Sequence, residues 1–168
     1  MSPAQDPDEL LPVVDENDHQ VGLATRAQVH SQGLLHRAVH VLLFDPSGKL
    51  WLQRRSQAKD TYPGMWTSSA SGHLDPGENY LFAAQRELRE ELGLGLELTY
   101  VGKVPAGPAT QGEFSGVFKA RSDRQPRPDP QEIAEIGLFT LHQARELAAD
   151  HTRSAPSLEA VMKLAGLI

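Results

Sequence analysis

The stretch GHLDPGENYLFAAQRELREELGL, residues 72–94, decides how this chain is read. It sets Gly72, Glu78, Arg86, Glu87, Glu90, Glu91 and Gly93 at the spacing G-x5-E-x7-R-E-x2-E-E-x-G. With each fixed position matched about once in twenty by chance, such a run arises roughly once in a billion start positions. From Asn79 to Leu92 the residues are good helix formers, and Gly93 stands where a helix C-terminus wants a left-handed residue. At about 3.6 residues per turn, Glu87, Glu90 and Glu91 share one face, beside an apolar stripe of Leu81, Ala84, Leu88 and Leu92. Carboxylates crowded on one helical face repel each other unless a hard cation sits among them. Glu78, in the loop before the helix, closes that cluster from the side.

An acidic helix face is often no more than a solvated one. Solvation, however, does not call for the glycines at fixed positions, the turn Asp75-Pro76-Gly77, or a single Arg86 among the glutamates. The run resembles the signature of the Nudix hydrolases. That resemblance implies an α/β fold, the Nudix-type α/β/α sandwich with a mixed central sheet. It also implies one or more Mg²⁺ ions, or Mn²⁺, on the glutamates, and cleavage of a diphosphate linked to some other moiety.

The remaining composition is consistent with this. At 168 residues the chain is long enough for one domain with a real core, expected over residues 11–168 behind a disordered polar leader at residues 1–10. A net charge of −6 argues against a nucleic-acid partner. The chain has no cysteine, so neither a disulfide framework nor a thiolate metal site is available. No apolar run approaches the ~20 residues of a membrane span, and the start MSPAQDPDEL lacks an apolar signal core. The expected protein is cytoplasmic, acts on a small-molecule phosphate anhydride, and contacts no membrane. Monomer and homodimer both stay open.

Along the chain, Leu11–Val14 and Val21–Ala24 flank a turn-rich segment and predict an N-terminal β-hairpin, with a helical turn at Arg26–His30. His40–Phe44 and Leu50–Arg55 flank Asp45-Pro46-Ser47-Gly48-Lys49, a turn between two buried strands. Further strands are expected at Trp66–Ala70, Leu96–Val104, Phe114–Ala120 and Ile133–Phe139, and amphipathic helices at Leu141–Ala149 and Leu158–Leu167.

A second resemblance covers roughly Leu11 to Gly166. The stretches VVDENDHQVG, HRAVHVLLFDPSGKLWLQRRSQAKDTYPGMWTSSASGH and GEFSGVFKA resemble the isopentenyl-diphosphate isomerase branch of the superfamily, which also holds hydrolase-like relatives. In the isomerases, two histidines before the first core strand, one in the Nudix loop and two glutamates on a later strand bind a metal. Here His36 and His73 match two of the histidines and Glu113 one glutamate. His30 lies near the third, one residue off the expected gap, and Gln111 stands in place of the other glutamate. Such N/O ligands suit Zn²⁺, Mn²⁺ or Mg²⁺. Structural roles are the competing reading, favoured for His30 and even for His36 and His73. His36 and His40, four residues apart on a strand, would lie about 13 Å apart, too far to share one ion.

The resemblance to the isomerases fails at their chemistry. Their proton-transfer cysteine, two residues before the loop histidine, is Ser71 here, a poorer acid and nucleophile. Their carbocation-shielding C-terminal tryptophan has no counterpart in HTRSAPSLEA, from His151. Their glutamate box is degenerate, whereas this one is intact. Hydrolysis is therefore the expected reaction, with isoprenoid-diphosphate isomerisation and a catalytically silent binding domain as alternatives.

Diphosphate cleavage needs divalent ions to neutralise anionic oxygens and activate water. Glu87 and Glu91 are the expected main ligands, Glu90 a ligand or general base, and Glu78 an orienting group or ligand to a second ion. Arg86 is expected to pair with a carboxylate and fix its rotamer. The carbonyl of Gly72, or of Ser71, could complete the site. Glu113 ranks ahead of Glu132 as an alternative base. By resemblance Arg55 and Lys59 match the residues that grip the diphosphate. Strand alternation sends Arg54 and Arg55 to opposite faces. Tyr62, Met65 and Trp66 offer a wall for the leaving moiety, with core packing as the equal reading for Trp66. The moiety itself (nucleoside, dinucleotide, sugar, coenzyme or prenyl chain) is not legible.

Overall fold

The computed structural model describes residues 5–168. The N-terminal hairpin pairs β1 (Leu10–Val14) with β2 (Gln20–Thr25), followed by α1 (Arg26–Gln32). The central strand β3 (His36–Phe44) leads through a turn to β4 (Leu50–Arg55). Two short strands, β5 (Trp66–Thr67) and β6 (Ala70–His73), precede the long helix α2 (Tyr80–Leu92). The chain ends with β7 (Thr99–Val104), β8 (Glu113–Arg121), β9 (Ile133–Phe139), α3 (Leu141–Ala149) and α4 (Pro156–Leu164).

The nine strands form one mixed sheet, in which β3 runs parallel to β8 and the other pairings are antiparallel. β3 is apolar on both sides because both sides are covered. Val39, Val41 and Leu43 pack with Ala83, Ala84, Leu88 and Leu92 of α2. Leu42 packs with Leu50, Leu52 and the α3–α4 pair through Ala144, Leu147, Leu158 and Met162. The result is the α/β/α sandwich that the acidic run implied.

Helix α2 has the expected caps. Asn79 accepts from the Phe82 N–H at 2.8 Å, and Gly93 closes the helix at φ 67°. The apolar stripe needs one correction. Leu81 is 43% exposed, because the ring of Tyr80 takes the place above the sheet. A Cβ on Gly116 would come within 2.6 Å of that ring, so the close approach depends on the glycine.

Four boundaries also differ. Trp66–Ala70 is not one strand, since the chain leaves β4 after Thr67 and joins β3 at Ala70. Ser69 secures the crossing: its N–H donates to Val41 O, its hydroxyl donates to Trp51 O, and it accepts from the Leu43 N–H. β3 starts at His36 rather than His40, β7 only at Thr99, and α4 at Pro156, which suits the first helical position. Of the expected leader at residues 1–10, residues 1–4 lie outside the described residues. Nearer the domain, Pro7 and Glu9 accept backbone bonds from Ala27 and Arg26, and Leu10 opens β1.

Candidate active site

A cleft of about 610 Å³ opens around β6, lined by residues of the sheet and of α2. On one side of β6 stand the helix glutamates. Glu91 is 2% exposed, and its Oε1 accepts from the Ser71 N–H at 2.8 Å and from the Gln53 side-chain amide at 3.1 Å. Glu87 lies against Gly72 so closely that a Cβ there would be 2.3 Å from its carboxyl carbon. Gly72 is therefore needed for space, a tighter reason than backbone freedom alone.

Helical phase separates the three glutamates that the sequence places together. At about 100° per residue, Glu87 and Glu91 differ by ~40° and face inward, whereas Glu90 is rotated by ~100° from Glu91. Its side chain is 60% exposed, at the rim of the cleft. Arg86 holds the group together. Its Nε and Nη2 donate to the two oxygens of Glu78 at 2.8 Å each, and its Nη1 donates to Glu87 at 2.7 Å and to Glu90 at 3.3 Å. Nη2 also reaches the His73 carbonyl at 3.0 Å. Both oxygens of Glu78 are engaged by Arg86, one of them also accepting from the Asp75 N–H, so Glu78 is built to orient Arg86.

On the other face of β6, His73 meets His36 and Glu113. Backbone register explains this: Ala38 opposes both His73 and Ser115, and His36 opposes Glu113, so these side chains share a face. His73 Nε2 is 3.7 Å from Glu113 Oε2, and the His36 and His73 rings are 4.9 Å apart. His30 joins them from α1: each of the three histidines places one ring nitrogen within 4.8 Å of the others, and His30 Nδ1 also lies 3.4 Å from Asp60, a pairing that fits the structural role favoured for it. His40, on the same strand as His36, is not among them.

The histidine set fits a cation. His36 Nδ1 donates to the Leu34 carbonyl at 2.9 Å, which leaves Nε2 unprotonated, buried and without a partner among the described residues. Burial and neighbouring positive groups push His36 down to about 4, and burial and His36 lower His73 as well, so both rings are neutral and can give lone pairs. Arg26 is the competing cation, with Nη1 3.2 Å from His73 Nδ1.

Burial also lifts the carboxyls. Glu91 rises to about 7, despite bonds from Ser71 and Gln53 that favour its charge, and burial lifts Glu113 to about 7 against the pull of Arg55. Burial and the charge of Glu91 raise Glu87 in spite of Arg86. The sign of the pH dependence follows. A raised folded-state pKa favours folding in full below the ordinary carboxyl range, and that contribution is lost as pH climbs toward 7. The metal-free protein is expected to lose roughly 5 °C of melting temperature between pH 5 and pH 8. Added divalent metal should restore it at the upper end, where the carboxylates are ionised. Calorimetry in chelator and in Mg²⁺ at both pH values checks this, and a flat profile in chelator would contradict the assigned burial effect.

The remaining site residues divide. Arg55 is in the cleft and donates to the Thr61 carbonyl at 2.9 Å and hydroxyl at 3.2 Å. Lys59 also lines it, bonded to Glu132. Arg54 does not: alternation turns it away, to Glu135 at 3.0 Å, which removes it as a substrate contact within this arrangement. Trp66 belongs to the core, edge-on to Phe139 with centroids 5.1 Å apart, and Tyr62 lines the cleft. Gln53, Arg26 and Ser68 were missed in sequence. None left a signal in the pattern: the apolar alternation of LWLQRR runs through Leu50 and Leu52, and Gln53 falls on the other side with Trp51 and Arg55.

The NUDIX domain family matches residues 34–161, and the chain belongs to the Nudix family. It is 41% identical over 142 residues to the isopentenyl-diphosphate Delta-isomerase of Serratia proteamaculans, covering 81% of this chain and 79% of that protein. It is 37% identical to the uncharacterized Nudix hydrolase PA4841 of Pseudomonas aeruginosa, over 88% of this chain and 86% of that one. The crystal structure of DR0079 from Deinococcus radiodurans superposes with a TM-score of 0.80 at 28% identity, covering 93% of this chain and 99% of that one. No helix among the described residues is long and apolar enough to cross a membrane.

Proposed function

We propose that this protein is a divalent-metal-dependent hydrolase that cleaves the diphosphate bond of a small molecule carrying a further moiety. The observation that supports it best is the inward-facing pair Glu87 and Glu91, Glu91 buried and Glu87 mostly so, set against Gly72 and the Ser71 N–H. Glu87 and Glu91 would hold Mg²⁺ or Mn²⁺, with the Gly72 carbonyl as a further ligand and Glu90 at the rim. His36, His73 and His30 would hold a second ion. Such ions would neutralise phosphate charge and make water a usable nucleophile at neutral pH. Arg55 and Lys59 bind the diphosphate, releasing Thr61 and Glu132 as they turn to it. Glu113, raised toward neutrality beside the cleft, takes up the proton of the attacking water, and Arg86 keeps Glu87 and Glu78 in register. The test is a panel of nucleoside di- and triphosphates, NADH, ADP-ribose, coenzyme A and prenyl diphosphates, assayed with Mg²⁺ and with chelator. No metal-dependent turnover on any of them would leave a binding domain.

A second reading, isomerisation of a C5 diphosphate, is favoured by the identity to named isomerases and by the histidine cluster. Against it stand Ser71 in the place of the acid and a cleft wall of Ala155 and Ser157 where a shielding tryptophan would be needed. Ser71→Cys is expected to show no interconversion of isopentenyl and dimethylallyl diphosphates above background, since restoring a thiol does not restore the shield. Activity well above background would make one residue the divide between the two reactions and overturn the commitment to hydrolysis.

A further inference from the structure

Neither the glutamate box nor the histidine cluster uses His40. It sits mid-way along β3, 5% exposed, and opens on the cleft beside its cross-strand partner Ser71. Its Nδ1 lies 2.7 Å from Ser68 Oγ, and Ser68 Oγ lies 3.2 Å from the Ala70 carbonyl oxygen. Ser68 has one proton to give. Both contacts are satisfied together only if the imidazole N–H at Nδ1 donates to Ser68 while the hydroxyl donates to Ala70. Nε2 is then a bare lone pair on the wall of the cleft, with no partner among the described residues. Burial and the Arg55 guanidinium push the ring down to about 4, so at neutral pH it stays an acceptor at that nitrogen.

We propose that His40 Nε2 accepts a hydrogen bond from a hydroxyl on the group attached to the diphosphate, which makes His40 a specificity-determining residue for hydroxyl-bearing, sugar-type diphosphates over prenyl ones. The inference rests on reading this cleft as the diphosphate site. Arg55, assigned to the diphosphate, is close enough for its charge to act on His40. Ser71 stands where the isomerases carry the acid that works on the carbon skeleton, and it shares a sheet face with His40. The pair therefore faces what lies beyond the diphosphate. A hydroxyl there meets an oriented acceptor, whereas an alkyl chain strands it. A site built around such an acceptor rejects the ligand lacking the donor far more strongly than an apolar pocket rejects an extra hydroxyl.

The test uses non-hydrolysable alkyl methylenebisphosphonates of two to four carbons, each with a terminal hydroxyl and each matched by its methyl-ended isostere. Binding is measured by isothermal titration in Mg²⁺, with thermal melting as a folding control. The wild type is expected to favour the hydroxyl member of at least one pair by tenfold or more. His40→Leu should bring that ratio to within about twofold of unity. His40→Gln, whose amide oxygen can replace Nε2, should retain most of it. His40→Asn, which mimics Nδ1 and keeps the Ser68 bond, should not. A ratio that survives in His40→Leu, or that returns with Asn and not with Gln, would show the ring to be structural and overturn the proposal. If the wild type binds unesterified methylenebisphosphonate but shows no hydroxyl preference, only this inference falls. If it binds none of these compounds, the diphosphate reading of the cleft falls with it.

Discussion

Replacing Glu91 with Gln is expected to lower kcat on the best diphosphate substrate by a factor on the order of a hundred or more, with a smaller change in KM. Glu91 Oε1 already accepts from the Ser71 N–H and the Gln53 amide, so its second oxygen is the one left to face the cleft. A glutamine that keeps those two bonds must turn its own amide NH₂ toward the cleft, where a cation ligand is needed. Glu87→Gln should behave alike, because the bond from Arg86 holds its carboxylate against Gly72. The two variants have a second signature. Each removes a buried charge, so in chelator at pH 8 each should melt above the wild type while being nearly inactive in Mg²⁺. Steady-state kinetics and calorimetry on the same preparations read both. Mg²⁺-dependent turnover surviving in either variant would remove that glutamate from the proposed site.

Arg86→Met is the second large effect. Arg86 is the common partner of Glu78, Glu87 and Glu90 and also reaches the His73 carbonyl at the end of β6. Its removal leaves Glu78 and Glu87, both mostly buried, facing each other without a counter-charge. Breaking a buried ion pair from one side typically costs about 3–5 kcal/mol. A loss of about 3 kcal/mol is expected in urea unfolding with chelator, since Glu87 can relieve part of the cost by taking up a proton. Saturating Mg²⁺ should recover part of that loss, because the cation replaces some of the missing charge. A loss below about 1 kcal/mol would mean that the Arg86 contacts are a solvated surface network.

The acidic run shows how far sequence carries and where it stops. Helix limits, caps and the inward direction of Glu87 and Glu91 are local matters, decided by a 3.6-residue period and by Asn79 and Gly93 at the ends. The same period puts Glu90 at the edge of the face, which a count of shared-face positions alone does not reveal. Leu81 is exposed because an apolar residue on the right stripe is buried only if something covers it, and here Tyr80, packed on Gly116, occupies the place above the sheet instead.

The histidine cluster marks the other limit. Nothing within ten residues of His30 says that it meets His73. The meeting depends on α1 packing beside the β1–β2 hairpin and on β6 pairing with β3 in a register that sets Ala38 against His73. The same holds for Arg55 and Arg54: alternation separates them in sequence, but only the packing of the cleft on one side of β4 says which of them faces it. By itself, then, the sequence determined the family, the helix, its caps and the run of glutamates along it, because those follow from periodicity and from residue types at fixed spacing. Tertiary structure alone decided that His30 joins His36, His73 and Glu113, the burial that raises Glu91 and Glu113, and the side of the sheet on which His40 meets the cleft. Each of these depends on which distant strand lies alongside and on how much water that neighbour excludes.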